Sequence, residues 1–244
     1  MTDKVQGRIF GGEEVDSIIQ FPFVVQVTTT LTFCSGVIIS ENYILTTAQC
    51  IYFNQDPIEV RAGSVVRGEG FLIPIAEAVY HPDNSFSTDY DIAYMRTETP
   101  LVFGEDMEPG VLVMTRDRTP ILFNVTGWGK RGNEISNERY NVLRTLRLLT
   151  VSKRYCESEY RERSPVKENL GMTTFCGEAF DSEGGACDGD AGSPASVGYL
   201  IYGLFSFSLE CKGPTVAPSV FTDLQDIEIR EFITEGTGVE YENH

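Results

Sequence analysis

Six cysteines and two histidines are the side chains of this 244-residue chain best suited to metal binding, proton transfer or cross-linking. The cysteine count is even, and no cysteine falls in a CxxC pair or beside histidines at the spacing of zinc ligands. We therefore expect three disulfide bonds, formed in an oxidising compartment, and we expect no bound metal or other cofactor. His81, between Tyr80 and Pro82, is expected to be exposed on a loop, and His244 is the last residue.

The segments that must position reactive side chains read as short β-strands. They are rich in β-branched and aromatic residues and bounded by Gly, Pro, Asn and Asp, which is typical of an all-β barrel or sandwich. In the segment 224–233, apolar residues recur at three- and four-residue spacing and predict one helix, and Ser152–Glu168 predicts a short helix with a loop. The predicted strands are Phe23–Thr28, Gly36–Ile39, Tyr43–Thr47, Ile58–Ala62, Phe71–Ala76, Ile92–Met95, Ile121–Thr126, Tyr199–Phe207 and Ser219–Thr222.

The chain is strongly acidic, with a formal net charge of −17 and a pI near 4.5. Such a surface repels nucleic acid and attracts a basic protein surface at modest salt, although the charge also has a simpler role in keeping a protein soluble. No apolar run approaches the roughly 18 residues that a membrane span needs. We therefore expect a soluble monomer with a protein partner, and we expect neither nucleic acid nor a membrane to bind.

Six short motifs follow one another along the chain. They are Arg8-Ile9-Phe10-Gly11-Gly12, Leu45–Cys50, Asp91-Ile92-Ala93, Thr126-Gly127-Trp128-Gly129, Cys187–Pro194, and the strand pair Gly203–Ser208 with Pro218–Thr222. In this order they resemble the trypsin/chymotrypsin family of serine proteases, from Arg8 to about Phe232. The resemblance implies an all-β fold of two six-stranded antiparallel β-barrels with a C-terminal helix and a site between the barrels.

The resemblance also implies how the chain is organised. Residues 1–8 correspond to a pro-segment and residues 9–244 to the protease-homologue domain. The two lobes are expected at about 9–110 and 111–224, followed by the helix at 224–233. The implied disulfide bonds are Cys34–Cys50, Cys156–Cys176 and Cys187–Cys211, which fit a secreted, extracellular protein.

The positions at which the family carries its catalytic residues read Gln49, Asp91 and Ala191. In the family, a serine hydroxyl attacks the substrate carbonyl, a histidine takes the proton, and an aspartate orients the histidine. The Gln49 amide does not titrate near neutral pH, and the Ala191 methyl group cannot act as a nucleophile. The resemblance therefore implies a pseudo-protease without catalytic residues, in which the amides of Gly189 and Ala191 are the remnant of an oxyanion hole.

The family's specificity pocket is also altered. Counting back from Ala191 places Gly185 at the base of the pocket, and Ser208 and Ser219 occupy wall positions at which enzymes that accept large side chains have glycine. Phe207 corresponds to the remaining aromatic wall. Two interpretations stay open, a small elastase-like pocket and a pocket that the serines partly block.

Parts of the family's activation machinery are retained. The Arg8–Ile9 junction still resembles a zymogen activation site, and Asp190 is positioned to pair with a new Ile9 amino group. Cleavage there either switches a binding surface or has no role in this chain. Separately, Asn124-Val125-Thr126 fits an N-glycosylation sequon, and its position in a predicted strand predicts low occupancy.

The resemblance is greatest to the inactivated protease paralogues of scabies mites. That group binds host complement proteins, so the resemblance implies complement evasion and immune modulation with complement components as partners. An alternative is the insect serine protease homologues, which serve as cofactors in immune protease cascades and usually carry a clip domain, whose cysteines do not precede Arg8. A third possibility, a protease mutated at its active site, would also require engineered changes at Gln49, Ser193 and the pocket serines. A strongly basic antimicrobial homologue does not fit a charge of −17.

Overall fold

The computed structural model describes ten stretches of the chain. They are residues 9, 11–52, 57–85, 88–114, 121–129, 141–164, 170–181, 184–187, 189–209 and 217–243. Arg8 with the rest of the segment 1–8, Cys211 and His244 carry predictions from the sequence and lie outside these residues.

The first half of the chain forms a seven-stranded antiparallel sheet that curls into a half-barrel. Its outermost strands, β6 and β7, follow one another along the chain. Pro74, which has no backbone N–H, separates them and so divides the predicted strand Phe71–Ala76. In order of pairing the strands are β6 (Phe71–Ile73), β5 (Glu59–Ala62), β2 (Val24–Thr28), β3 (Phe33–Ile38), β4 (Tyr43–Thr46), β8 (Ala93–Thr97) and β7 (Ile75–Tyr80).

The second half forms a closed six-stranded barrel, because β13 pairs with both β10 and β14. The mostly β fold implied by the resemblance is thereby confirmed, with one closed six-stranded barrel, whereas the first sheet is a seven-stranded half-barrel and not a second six-stranded barrel. In order of pairing the strands are β13 (Pro194–Val197), β10 (Leu122–Gly127), β11 (Arg144–Val151), β12 (Thr174–Ala179), β15 (Ser219–Asp223) and β14 (Leu200–Phe207). Strand β9 (Val111–Met114) pairs in parallel with β14, and the short strand β16 (Glu242–Asn243) pairs in parallel with β9.

Each end of the chain packs on the opposite half of the molecule. Strand β1 (Glu13–Glu14) pairs with β11, and Ile9 is buried in the core of the closed barrel beside Phe123 and Val125. The C-terminal helix buries Ile229 and Ile233 against residues of the first sheet. The expected lobe of 9–110 therefore differs from the packing at its start, where Ile9 and strand β1 pack with the second barrel.

The described residues also form three helices and a 3₁₀ turn: α1 (Ala48–Ile51), α2 (Lys153–Arg163), α3 (Ile227–Thr237) and the turn Ile18–Gln20. Helix α3 begins three residues later than the predicted 224–233 and ends four residues later. The start is set by Asp226, whose carboxylate accepts the backbone N–H groups of Glu228 and Ile229. The end is set by Gly238, which adopts the left-handed conformation that favours glycine, with φ of 71°.

Disulfide bonds join Cys34 to Cys50 and Cys156 to Cys176, as predicted. Cys187 is also disulfide-bonded, and its predicted partner, Cys211, lies outside the described residues. In the part of the chain that the structure describes, no helix is long and apolar enough to cross a membrane.

Candidate functional site

Gln49 lies at the start of α1, where strand β4 leaves the first sheet. Its backbone N–H and its side-chain Nε2 donate hydrogen bonds to the two carboxylate oxygens of Asp91, at 3.0 and 2.7 Å. The same Nε2 donates to the backbone carbonyl of Ser206 in β14, at 2.8 Å. The two N–H bonds of the amide therefore both have acceptors, and they fix the side chain between the two halves of the molecule.

Asp91 is buried and surrounded by donors. Besides the two bonds from Gln49, it accepts a hydrogen bond from the Ser206 hydroxyl at 2.6 Å, and its backbone carbonyl accepts one from the Thr222 hydroxyl at 2.8 Å. Burial raises the pKa of Asp91 above its ordinary value, against the lowering effect of the bonds from Ser206 and Gln49. The Gln49 amide that donates to this carboxylate neither gains nor loses a proton near neutral pH.

The loop Gly189–Ser193 brings Ala191 to the junction of the two halves. The Ala191 carbonyl accepts a hydrogen bond from the backbone N–H of Ser35 at 2.8 Å, and its methyl group packs against the core cluster that contains the Cys34–Cys50 bridge. Ser193 is fully buried, with its hydroxyl directed at Gly127. Among the described residues, the backbone amides of Gly189 and Ala191 have no hydrogen-bond acceptor.

The side chain of Asp190 fixes this loop to neighbouring segments. Its buried carboxylate accepts hydrogen bonds from the backbone N–H groups of Gly129 at 2.7 Å and Cys187 at 2.9 Å. A Cβ atom on Gly127 or Gly129 would collide with that carboxylate, which explains why both residues of the Gly-Trp-Gly motif are glycine. Ile9 is fully buried, and its backbone φ of 38° lies in the left-handed region.

The two pocket serines converge on one residue, Ala186. The Ser208 hydroxyl donates to the Ala186 carbonyl at 2.7 Å, and the Ala186 N–H donates to the Ser219 hydroxyl at 3.3 Å. Phe207 turns its ring to Tyr160 of α2, edge to face, with 5.6 Å between the centroids. Gly185 is buried next to Ala186. The serine side chains thus connect the end of β14 and the start of β15 to the backbone of Ala186.

Ser206 was not singled out from the sequence, although it holds both Gln49 and Asp91. It is separated from them by 157 and 115 residues along the chain, and an isolated serine in a strand carries no signal of such a contact. Asn124, in the predicted sequon, lies within β10 and pairs with Arg147 on one side and Ser196 on the other.

The prediction that His81 is exposed is wrong, because only 5% of the residue is accessible. Its ring stacks on Tyr90 with 4.6 Å between the centroids and lies 4.8 Å from the ring of Phe232 in α3. Helix α3 covers the loop from the other side, and a helix that packs across a loop leaves no mark in the loop's own sequence. Burial lowers the pKa of His81, more than nearby Asp83 and Glu228 raise it.

A sequence model of the protein family described as Trypsin matches residues 9–232. Trypsin 5G1 of Aedes aegypti is 28% identical over 96% of this chain and 86% of its own length. The vitellin-degrading protease of Bombyx mori is 30% identical over 93% of this chain and 85% of its own length. Among solved structures, the scabies mite inactivated protease paralogue S-D1 has a TM-score of 0.79 at 22% identity, over 95% of this chain and 99% of the other. At that identity the likeness shows a shared fold.

Proposed function

This chain belongs to the trypsin family of serine proteases, and we propose that it is a member without catalytic activity that acts as a secreted binding protein. One observation carries the proposal. The Gln49 amide donates to Asp91 and Ser206 at the position where the family's general base stands. Opposite it, Ala191 offers a methyl group where the family has its nucleophile.

The loss of both groups removes most of the family's rate enhancement. In subtilisin, a protease with the same triad on another fold, removal of the serine or the histidine lowers turnover by about 10⁶-fold. This corresponds to roughly 8 kcal/mol of activation free energy. The free amides of Gly189 and Ala191 can still stabilise an oxyanion, but without a nucleophile no acyl-enzyme forms.

The pocket positions support the same proposal. A substrate side chain would have to displace the hydrogen bonds that Ser208 and Ser219 make with the backbone of Ala186. Breaking a buried hydrogen bond leaves a polar group unsatisfied and costs about 1–3 kcal/mol. Of the two interpretations of the pocket, these bonds favour partial blockage over an open elastase-like slot.

The proposed setting is extracellular, and the proposed partner is a basic protein surface. Disulfide bonds such as Cys34–Cys50 persist in oxidising compartments, and a net charge of −17 attracts cationic surfaces. Host complement components are the candidate partners, on the resemblance of the sequence motifs to the scabies mite inactivated protease paralogues. The second candidate is a cofactor role in an insect-type immune cascade, since the two relatives described above by sequence are insect proteins.

The catalytic part of the proposal is tested with peptide substrates. The unaltered chain is compared with a Gln49→His/Ala191→Ser variant and with one that also carries Ser208→Gly and Ser219→Gly. We expect no turnover by the unaltered chain. Opening the pocket is expected to raise turnover of the two-change variant by about 10- to 200-fold, the range that small pocket changes produce.

Turnover by the unaltered chain that survives purification to constant specific activity would overturn the proposal. If the two restored variants cleave substrates with large side chains at equal rates, the proposal that the serines block the pocket is overturned. The partner is sought by affinity capture from host plasma and from insect haemolymph, with complement lysis and cascade activation as the readouts. Inhibition of lysis supports the complement role, and accelerated cascade activation supports the cofactor role.

A further inference from the structure

A cavity of about 800 Å³ opens at one end of the closed barrel. Its wall forms where β10 and β12 begin and where β11 and β15 end, and antiparallel pairing brings these four ends to the same side of the barrel. Tyr202 near the start of β14 lines it, whereas Ser208 follows the end of that strand, roughly 20 Å away at the rise of an extended chain. None of its lining residues belongs to the candidate site between the barrels.

The floor of this cavity is aromatic and aliphatic. Ile121, Phe123 and Phe175 line it, and Phe123 meets Phe175 edge to face with 5.8 Å between the ring centroids. The volume falls within the roughly 300–1,000 Å³ of natural ligand sites. An apolar side chain can therefore enter and cover rings that already belong to the barrel core.

The entrance carries apolar side chains that the fold holds out in solvent. Met172 is 82% exposed and Ile227, the first residue of α3, is 59% exposed. The turn that carries Met172 is fixed, because the Lys153 ammonium donates to the carbonyls of Gly171 and Met172 and Asp89 accepts the N–H of Thr173. Because this turn is ordered, its backbone loses little conformational freedom on binding, and the flexible methionine side chain can adapt to the surface of a partner.

The charge that this cavity offers to a ligand is negative. Glu157, Asp223 and Asp226 line it together with two cations, Lys153 and Arg230. These five groups give the lining a formal charge of −1, and both cations already have partners within the chain. Lys153 binds the backbone carbonyls of the Met172 turn, and Arg230 contacts the sulfur of Met114 and the ring of Tyr241.

We propose that this cavity is a docking site for a polypeptide segment of a partner protein, which inserts an apolar side chain next to a lysine or arginine. The apolar side chain would rest on Phe123 and Phe175, and the cationic group would lie near Glu157. This inference rests on the proposed binding function and assigns it a surface at the end of the barrel remote from the altered catalytic positions.

The test uses fluorescein-labelled peptides and the full chain, with fluorescence polarisation as the readout. The peptide KGKFKGK is expected to bind, and KGKAKGK and EGEFEGE to bind at least about 10-fold more weakly. Glu157→Lys is expected to weaken KGKFKGK binding by about 10-fold and Met172→Ser by about 3-fold or more. Glu162→Lys is the matched control, because it makes the same charge change on an exposed part of α2. Val102→Ser is the control for Met172, because Val102 is 86% exposed in the first half of the chain.

Several results would overturn the proposal. They are the absence of KGKFKGK binding, tighter binding of EGEFEGE or of the anionic amphiphile decanoate, and equal losses in the Glu157→Lys and Glu162→Lys variants. The last result would reduce the binding to long-range attraction by the net charge. Peptide binding and peptide hydrolysis are measured separately, so failure of the docking site and failure of the non-catalytic assignment are distinguishable.

Discussion

At Gln49, the backbone and the side-chain amide direct N–H donors at Asp91, and the amide does not titrate near neutral pH. A buried carboxylate without donors is strongly destabilising, because its desolvation is not compensated. Gln49 supplies two of the bonds to the Asp91 carboxylate and Ser206 supplies a third. Gln49 and Ser206 therefore satisfy the buried Asp91 carboxyl with hydrogen bonds that water would otherwise provide.

Replacement of Gln49 by alanine tests this account. Gln49→Ala removes the side-chain donor to Asp91 and to the Ser206 carbonyl, so we expect the free energy of unfolding to fall by about 1–3 kcal/mol. Urea denaturation measures the change. Gln20→Ala, at an exposed position, is the control and is expected to stay within about 0.5 kcal/mol of the unaltered chain. A Gln49→Ala variant as stable as that control would show that the buried carboxylate does not depend on the amide.

His81 makes the stability of the chain depend on pH. Its pKa is lowered in the folded state, so between the unfolded value, about 6.5, and the lower folded value the unfolded chain binds more protons. Its contribution to stability is complete above the unfolded value and is lost as the pH falls towards the folded one. Asp91, whose pKa is raised, acts in the opposite sense.

We expect the melting temperature of the unaltered chain to fall more steeply between about pH 7 and pH 5 than that of a His81→Asn variant. Asparagine keeps an acceptor for the N–H of Asp83, which His81 Nδ1 accepts at 3.2 Å. Because Asp91 is unchanged in both chains, the difference between the two slopes isolates His81. Parallel slopes would contradict the assigned burial of this ring.

Among the loops, Gly192 shows how tightly the segment after Ala191 is built. Its φ is 82°, its N–H donates to the Phe205 carbonyl at 2.8 Å, and a Cβ atom there would collide with the Ser35 carbonyl and the Thr46 hydroxyl. The turn between β13 and β14 has a glycine with a similar backbone, Gly198 with φ of 59°, but with open space around it. A substitution at Gly198 would therefore introduce backbone strain alone, whereas one at Gly192 would introduce the same strain and a collision.

Gly192→Ala and Gly198→Ala are therefore expected to differ in their effect on stability. Gly198→Ala pays only the left-handed backbone penalty of about 1–2 kcal/mol. Gly192→Ala adds the collision with the first sheet, and we expect a loss of roughly 4 kcal/mol or more. Thermal and urea unfolding of the two variants measure this difference. Equal losses would mean that the halves of the molecule can separate at this loop without cost.

At the scale of the whole molecule, the two halves are tied together by crossed termini and by the Gln49–Asp91–Ser206 bonds. The same compact shape confines a net charge of −17. Like charges on a compact surface repel one another and destabilise it relative to the expanded chain. Surface ion pairs such as Arg96–Glu77, with both side chains half-exposed, offset little of this repulsion.

Salt is accordingly expected to stabilise this protein. An increase in ionic strength from about 0.01 M to about 0.15 M shortens the screening length from about 30 Å to about 8 Å. We expect the melting temperature to rise by a few degrees over this range, about 1 kcal/mol at the midpoint. Calorimetry in sodium chloride measures the shift, and several monovalent salts should give the same curve. A melting temperature that falls or stays constant would show that the charges are already paired.

Several features of this protein could be predicted from the sequence alone, because they depend on the type and order of its residues. The family resemblance carried by six motifs implies the mostly β fold, and it also implies the bridges Cys34–Cys50 and Cys156–Cys176 found among the described residues. The chemistry open to Gln49 and Ala191 is likewise set by residue type, since an amide does not titrate near neutral pH and a methyl group is not a nucleophile. The strand β11 (Arg144–Val151) was not predicted, because leucines and two arginines separate its β-branched residues Thr145, Thr150 and Val151.

Other features exist only in the folded chain. The hold of Ser206 on Asp91, the convergence of both pocket serines on Ala186, and the burial of His81 beneath α3 each join segments far apart in sequence. The cavity at the far end of the barrel forms where the ends of four strands meet, and these ends are brought together only when the sheet folds. A period-two pattern tells which side of a strand is buried but not which strand pairs with it, so the contacts between segments were decided by the tertiary structure.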